Sequence, residues 1–217
     1  MPRTRPSARL ARSFFARPSL VVARDLLGRV LVRTLPDGTR LSGRLVEAEA
    51  YRQDDPASHS YRGRTDRTDV MFGPPGHLYV YFTYGMHFCM NAVTGADGEG
   101  SAVLLRAAEP LEGLEEMAAR RRTNDPRILL AGPARLCEAF GVGREHNGVD
   151  LVAGDVLHTE AGTPVPDHLV AVGPRIGVTV AVDNPWRFTV RESRFLSRPS
   201  ATPPRGPKPR VRGSRRS

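Results

Sequence analysis

Two stretches of the chain alternate apolar and polar residues around turn chemistry, and they commit much of it to antiparallel β structure. Arg29 to Thr34 and Thr39 to Tyr51 flank Pro36-Asp37-Gly38, where Pro pre-sets its own φ and Gly accepts the positive φ of a tight turn. Leu78 to Asn91 is aromatic and β-prone with an interruption at Tyr84-Gly85, the pattern of a second hairpin with its tip there. Ala102 to Ala107 reads as a buried strand, and Leu169 to Val172, Ile176 to Val182 and Arg187 to Val190 as further short strands. Helices are expected over Ser13 to Leu27, with Pro18 and Ser19 near a start and Gly28 as the stop, and over Pro110 to Arg122, whose acids come first and arginines last as the helix dipole favours. Asn124-Asp125-Pro126 ends that helix, and another runs from Gly132-Pro133 to Phe140 with Gly141 as its cap. A polar loop covers roughly Arg52 to Val70. A length of 217 residues suits one domain with a sizeable core, and the elements describe an α+β fold rich in β structure.

Charge is concentrated at the ends. The formal net charge is +9, but Met1 to Arg24 and Ser197 to Ser217 contain no acid, and the stretch between them is net negative. Such ends suit basic arms that grip a polyanion, or they serve as solvated tails. Residues 1–12 read as a flexible arm, 13–196 as the folded domain, and 197–217, made of Pro, Arg, Gly and Ser without apolar periodicity, as a disordered tail. Cys89 and Cys137 lie in apolar runs and read as reduced core residues of a cytoplasmic protein. No run of eighteen apolar residues occurs, so no membrane partner is expected.

Side chains on a strand alternate faces, which puts Leu45, Glu47, Glu49 and Tyr51 on one side. Two carboxylates and a ring looking the same way could be a site; an exposed strand face tolerates the same pattern. Tyr84 beside Gly85 is either a wedge for a base stack or the end of a core hairpin. Metal chemistry lacks ligands, since HExxH, CxxC and the deaminase signature are all missing. The chain has 31 Arg and one Lys, Lys208, in the tail. Imine chemistry therefore has no amine in the folded region and is left only with an N-terminal Pro2.

In order and spacing, the phrases Gly43-Arg44-Leu45-Val46-Glu47-Ala48-Glu49-Ala50-Tyr51, Ala57-Ser58-His59-Ser60, Gly76-His77-Leu78-Tyr79-Val80-Tyr81, Tyr84-Gly85-Met86, Cys89-Met90-Asn91, Leu104-Leu105-Arg106-Ala107 and Arg175-Ile176-Gly177 closely resemble the alkyladenine (3-methyladenine) DNA glycosylase family. The likeness runs from about Ser13 to Arg194. It implies a curved, mainly antiparallel sheet with a protruding hairpin and surrounding helices, and a cofactor-free monomer acting on double-stranded DNA that contains a damaged purine. Its substrates would be 3-methyladenine and, beyond it, 7-methylguanine, hypoxanthine or ethenoadenine; in a bacterium it would work at the nucleoid. By the same resemblance Glu49 activates water, Arg106 holds water and carboxylate, and the Ile176 carbonyl supports the water. Tyr51 would face His59 and Tyr81 across an extruded base whose edge is read by backbone near Ala57 and His59. Asn91 would exclude the guanine 2-amino group, and Tyr84 would fill the vacated stack. The segment between Tyr51 and His59 is one residue shorter than in mammalian relatives, which puts the place of His59 in question. A non-catalytic binder of distorted nucleic acid, using the same wedge and basic arms, is the competing expectation.

The missing lysines make a prediction. A glycosylase that attacks with an amine forms an imine and nicks the strand, whereas a water-activating one leaves an intact abasic site. Borohydride should trap no protein–DNA adduct, and strands should break only after alkali; robust trapping abolished by an N-terminal extension would assign the chemistry to Pro2.

Overall fold

The computed structural model describes residues 8–83 and 85–198. Helices α1 (Arg12–Phe15) and α2 (Ser19–Asp25) lead into β1 (Val30–Thr34) and β2 (Arg40–Tyr51), then a 3-10 turn at Asp69–Phe72 and the hairpin of β3 (Leu78–Thr83) and β4 (His87–Val93). After β5 (Ala102–Glu112) come α3 (Leu114–Arg121), α4 (Pro126–Leu129) and α5 (Pro133–Phe140), and β6 (Leu157–Glu160), β7 (Val170–Gly173) and β8 (Arg187–Val190) follow. The architecture is α+β. Every ladder is antiparallel, in the order β3-β4-β5-β2-β1-β6, with β8 joining β2 and β7 joining β8. The long β2 organises this curled sheet: β5 lines one edge, while β1 covers residues 40–44 of the other and β8 covers 47–49.

Period-two alternation sorts each central strand into a core face and a site face. Ala48 and Ala50 of β2, Leu78 and Val80 of β3, Met90 and Ala92 of β4, and Val103 and Leu105 of β5 all enter the main core. Val22 and Ala23 from α2 and Leu26 just after it, with Leu136, Cys137 and Phe140 from α5, cover them. The intervening residues include Glu47, Glu49, Tyr51, Tyr79, Tyr81, Asn91 and Arg106. Helices therefore seal one side of the sheet and leave polar chemistry on the other. Leu45 does not share the face of Glu47 as strict alternation predicts. It joins Ala48 and Ala50 in the core because the β2–β5 register slips between Leu45 and Glu47 and again before Ala48, and an irregularity of this kind turns a side chain over.

Elsewhere local signals yield to the ladder. The expected helix from Pro110 begins instead at Leu114, because Glu109, Pro110 and Glu112 continue pairing with Arg44, Gly43 and Ser42. Glu112 accepts from Arg40 Nε at 2.7 Å and from Ser42 Oγ at 2.7 Å, and only Gly113, at φ +75°, lets the chain turn into α3. Pro18 splits the first expected helix in two. Ile176 to Val182 is not a strand but a run of turns, with Gly177 at φ +82° and Ala181 at +50°. Strand β6 went unrecognised in the sequence. The folded part also reaches slightly beyond residues 13–196: Leu10 is buried, the Arg9 backbone pairs antiparallel with that of Glu160, and Ser197 donates to Glu47. At the hairpin tip Phe82 and Met86 are exposed; Tyr84 and residues 199–217, which carry the wedge and tail expectations, lie outside the described residues.

Gly28 joins α2 to β1 at φ +83°, and a Cβ built there would meet the Thr163 carbonyl oxygen at 2.0 Å. Gly28→Ala combines a left-handed φ with a clash against backbone and should cost at least ~2 kcal/mol, lowering Tm by at least about 4 °C. Gly173→Ala, where a Cβ meets nothing within 4 Å, should leave Tm within about 2 °C of wild type; equal effects would refute this account.

Candidate active site

On the site face Arg106 of β5 bridges two buried carboxylates of β2. Its Nε donates to Glu47 at 2.9 Å and its Nη1 to Glu49 at 3.2 Å. Both carboxylates are fully buried. Arg187 of β8 donates through Nε to Glu47 at 2.8 Å, and Ser197 adds its backbone N–H at 2.7 Å and its hydroxyl at 2.8 Å. Glu47 is thereby saturated. Glu49 differs: Oε2 accepts from Arg106 and from the Tyr51 hydroxyl at 3.0 Å, while Oε1 accepts the Ile176 N–H at 2.8 Å. A carboxylate has about four acceptor positions; among the described contacts Glu47 uses four and Glu49 three, which leaves one position open on Glu49 Oε1.

These partners set the two carboxylates apart electrostatically. Burial alone would raise Glu47, but Arg106, Arg187 and the Ser197 N–H outweigh it and hold its pKa below the ordinary 4.5. For Glu49 burial wins. Its pKa is raised, with Arg106, the Ile176 N–H and the Tyr51 hydroxyl opposing the shift incompletely and Glu47 adding to it. A carboxylate with a raised pKa is a stronger base once ionised.

Next to this network opens a cavity of about 380 Å³, lined by Tyr51, Ala57, His59, Tyr79, Tyr81 and Asn91 and by the segment Gly177 to Val180. That volume lies in the range of small-molecule pockets. Tyr51 joins the two parts, its ring on the cavity and its hydroxyl on Glu49. His59 meets Tyr81 edge-on, with centroids 4.5 Å apart, and its Nδ1 lies 3.0 Å from the Tyr79 hydroxyl. Loss of water around the ring, followed by the Arg67 charge, pulls the His59 pKa down to about 4. Burial pushes the Tyr51 and Tyr81 hydroxyls up. The aromatic wall is therefore uncharged at neutral pH.

All the expected site residues among those described converge here, and the shortened segment after Tyr51 does not displace His59 from the wall. Ile176 donates its N–H to Glu49, a contact additional to the role that the resemblance implies for its carbonyl. The Ala57 N–H donates to Asp55 Oδ1 at 3.1 Å and is not free for a ligand. Asn91 is held in turn, donating from Nδ2 to the Tyr79 carbonyl at 3.2 Å. The sequence reading missed Arg187 and Ser197 on Glu47, and a buried Arg175–Asp55 pair beneath Tyr51. Only Arg175 had a signal, its place in the Arg175-Ile176-Gly177 phrase.

The model of the methylpurine-DNA glycosylase family matches residues 13–194. The chain belongs to this family. Among its relatives, a protein of Streptomyces avermitilis is 53% identical over 201 residues, covering 90% of this chain and 94% of the relative. One from Burkholderia lata is 50% identical over 200 residues, covering 89% and 93%. One from Carboxydothermus hydrogenoformans is 48% identical over 189 residues, covering 87% and 98%. All three bear the name "Putative 3-methyladenine DNA glycosylase". As a family member the chain is a DNA glycosylase, a hydrolase of N-glycosyl bonds in base excision repair.

In this glycosylase the opposite pKa directions give opposite stability effects. Glu47, depressed in the fold, contributes stability that is present above about pH 4.5 and lost as pH falls through its folded pKa. Glu49, raised, is penalised when ionised, so its contribution is present at low pH and lost as pH rises through its folded value. At pH 7, Glu47→Gln should lower Tm by at least about 6 °C, on the ~3 kcal/mol scale of breaking a buried pair. Glu49→Gln should leave Tm unchanged or raise it. Calorimetry of both variants checks this, and a larger loss in Glu49→Gln would reverse the assignment.

Proposed function

We propose that this glycosylase flips an alkylated purine out of duplex DNA into the aromatic cavity and hydrolyses its N-glycosidic bond with a water activated by Glu49. The observation that carries this reading is the uncharged aromatic cavity set directly beside a buried, Arg-held carboxylate. Alkylation at N3 or N7 leaves the purine cationic. Tyr rings attract a cation through their faces, and a neutral His59 does not repel it. A cationic base is already a good leaving group, so a general base with no separate acid suffices, and excision of 3-methyladenine is the primary activity. Neutral hypoxanthine or ethenoadenine would need protonation as well and should react more slowly.

In this mechanism Tyr51 stacks on one side of the base, with His59 and Tyr81 opposite. With its N–H taken, Ala57 would read the base edge through its carbonyl. Asn91, fixed on the Tyr79 carbonyl, would bar the 2-amino group of guanine, while Tyr84 fills the gap left in the duplex. Glu49 takes the proton of the attacking water through the open position on Oε1, and Arg106 steadies both water and carboxylate. The enzyme acts as a monomer on chromosomal DNA without a cofactor, and its basic termini meet the phosphate backbone by counterion release.

The test is single-turnover release of free base from a panel of single-lesion duplexes. Wild type should release 3-methyladenine fastest. Glu49→Gln, which keeps the shape of the side chain but cannot take the proton, should lose at least about 100-fold in rate while still binding the lesion. Lesion binding by wild type without any base release would instead identify a damage-binding module.

A further inference from the structure

The walls of the cavity meet at one buried ion pair outside the catalytic network. Arg175 and Asp55 are both fully buried. The guanidinium grips the carboxylate with both terminal nitrogens, Nη1 to Oδ2 and Nη2 to Oδ1, the latter at 3.1 Å. Nη1 also donates to the Ala50 carbonyl at 3.1 Å, between Glu49 and Tyr51. The guanidinium centre lies 4.6 Å from the Tyr51 ring centroid and 4.9 Å from that of Trp186. A buried ion pair is weak support for stability, because desolvation offsets most of the attraction. What it fixes is orientation.

Three parts of the site start from this pair. The segment that lines one wall, Pro56 to His59, follows Asp55 directly, and Asp55 holds its first turn by accepting the Ala57 N–H at 3.1 Å on Oδ1 and the Ser58 N–H at 2.9 Å on its carbonyl. The opposite segment, Gly177 to Val180, starts two residues after Arg175. Between them Ile176 donates its N–H to Glu49 at 2.8 Å. The plane of Arg175 supports Tyr51, the residue that connects cavity and carboxylate.

We propose that Arg175 and Asp55 are positioning residues for base excision: the pair sets the width of the cavity and, through Ile176, aims a backbone N–H at Glu49. The pair touches neither base nor water. It couples the grip on the base to the state of the general base, because displacing Arg175 moves both. This inference rests on the hydrolytic reading of the site.

The test uses the full chain and Arg175→Lys, which keeps the charge but loses the two-pronged grip and the planar stack. Arg106, Glu47 and Arg187 also face Glu49, but the two donors that depend on Arg175 are the Ile176 N–H, carried by its segment, and the Tyr51 hydroxyl, carried by the ring it supports. Weakening these two bonds should move the acid limb of the excision profile upward by about 0.5–1 pH unit. Single-turnover excision should fall about 10- to 100-fold through misplacement alone. Amide hydrogen exchange over residues 176–180 should accelerate about 10-fold or more, while β2 and β5 keep their protection. The exchange readout does not depend on activity, so loss of this proposal is separable from loss of the glycosylase mechanism, which fails if wild type releases no base. An unmoved acid limb together with unchanged exchange in the folded variant overturns the proposal, whatever the rate. Should Arg175→Lys not fold, Trp186→Leu removes one supporting ring from a half-buried position and decides the question by the same two readouts.

Discussion

Arg106 lies between two buried carboxylates, and the arrangement of the site follows from keeping that charge arrangement out of water. Burying Glu47 and Glu49 without cations is prohibitively costly, so the chain brings Arg106 from β5 and Arg187 from β8 to the same stretch of β2. The four formal charges cancel. This arrangement requires β2 to be paired on both edges at Glu47–Glu49, and it coincides with the register slips that send Leu45 to the core. Ser197, at the far end of the fold, completes the shell around Glu47. Glu47 thus serves as the structural anion, leaving Glu49 with a raised pKa and an open acceptor position.

Strands and loops divide the labour. The strands fix the ionic network, which needs positions held to within tenths of an ångström, while irregular segments 56–59 and 177–180 shape the cavity. Tyr51, on a strand yet facing the cavity, joins the two. An aromatic, uncharged enclosure suits a flat cationic ligand, and the low pKa of His59 keeps it that way across the physiological range. Ring faces attract a cation without a carboxylate that would have to be desolvated.

Much of this was legible in residues alone. The hairpins, the Gly132–Gly141 helix and the shared face of Glu47, Glu49 and Tyr51 follow from turn chemistry and period-two alternation, which are local rules. What escaped was decided by distant partners. Pro110 has a helix-start signature, but its neighbours' pairing with β2 overrode it. Ile176 to Val182 has strand composition, yet lacks a ladder and turns at Gly177. The upward shift of Glu49 could not be read from Arg106 alone, because burial, which exceeds the pull of the cation, is a property of the fold. The partners Arg187 and Ser197 lie 140 and 150 residues from Glu47 along the chain, a separation at which no local pattern carries information.

The pH dependence of single-turnover 3-methyladenine release tests the central claim most directly. If Glu49 is the base and burial governs it, wild type should show one ionisation that must be deprotonated, with its midpoint above 4.5, and that limb should vanish in the residual activity of Glu49→Gln. A midpoint at or below 4.5, or a limb that persists unchanged in Glu49→Gln, would contradict the account.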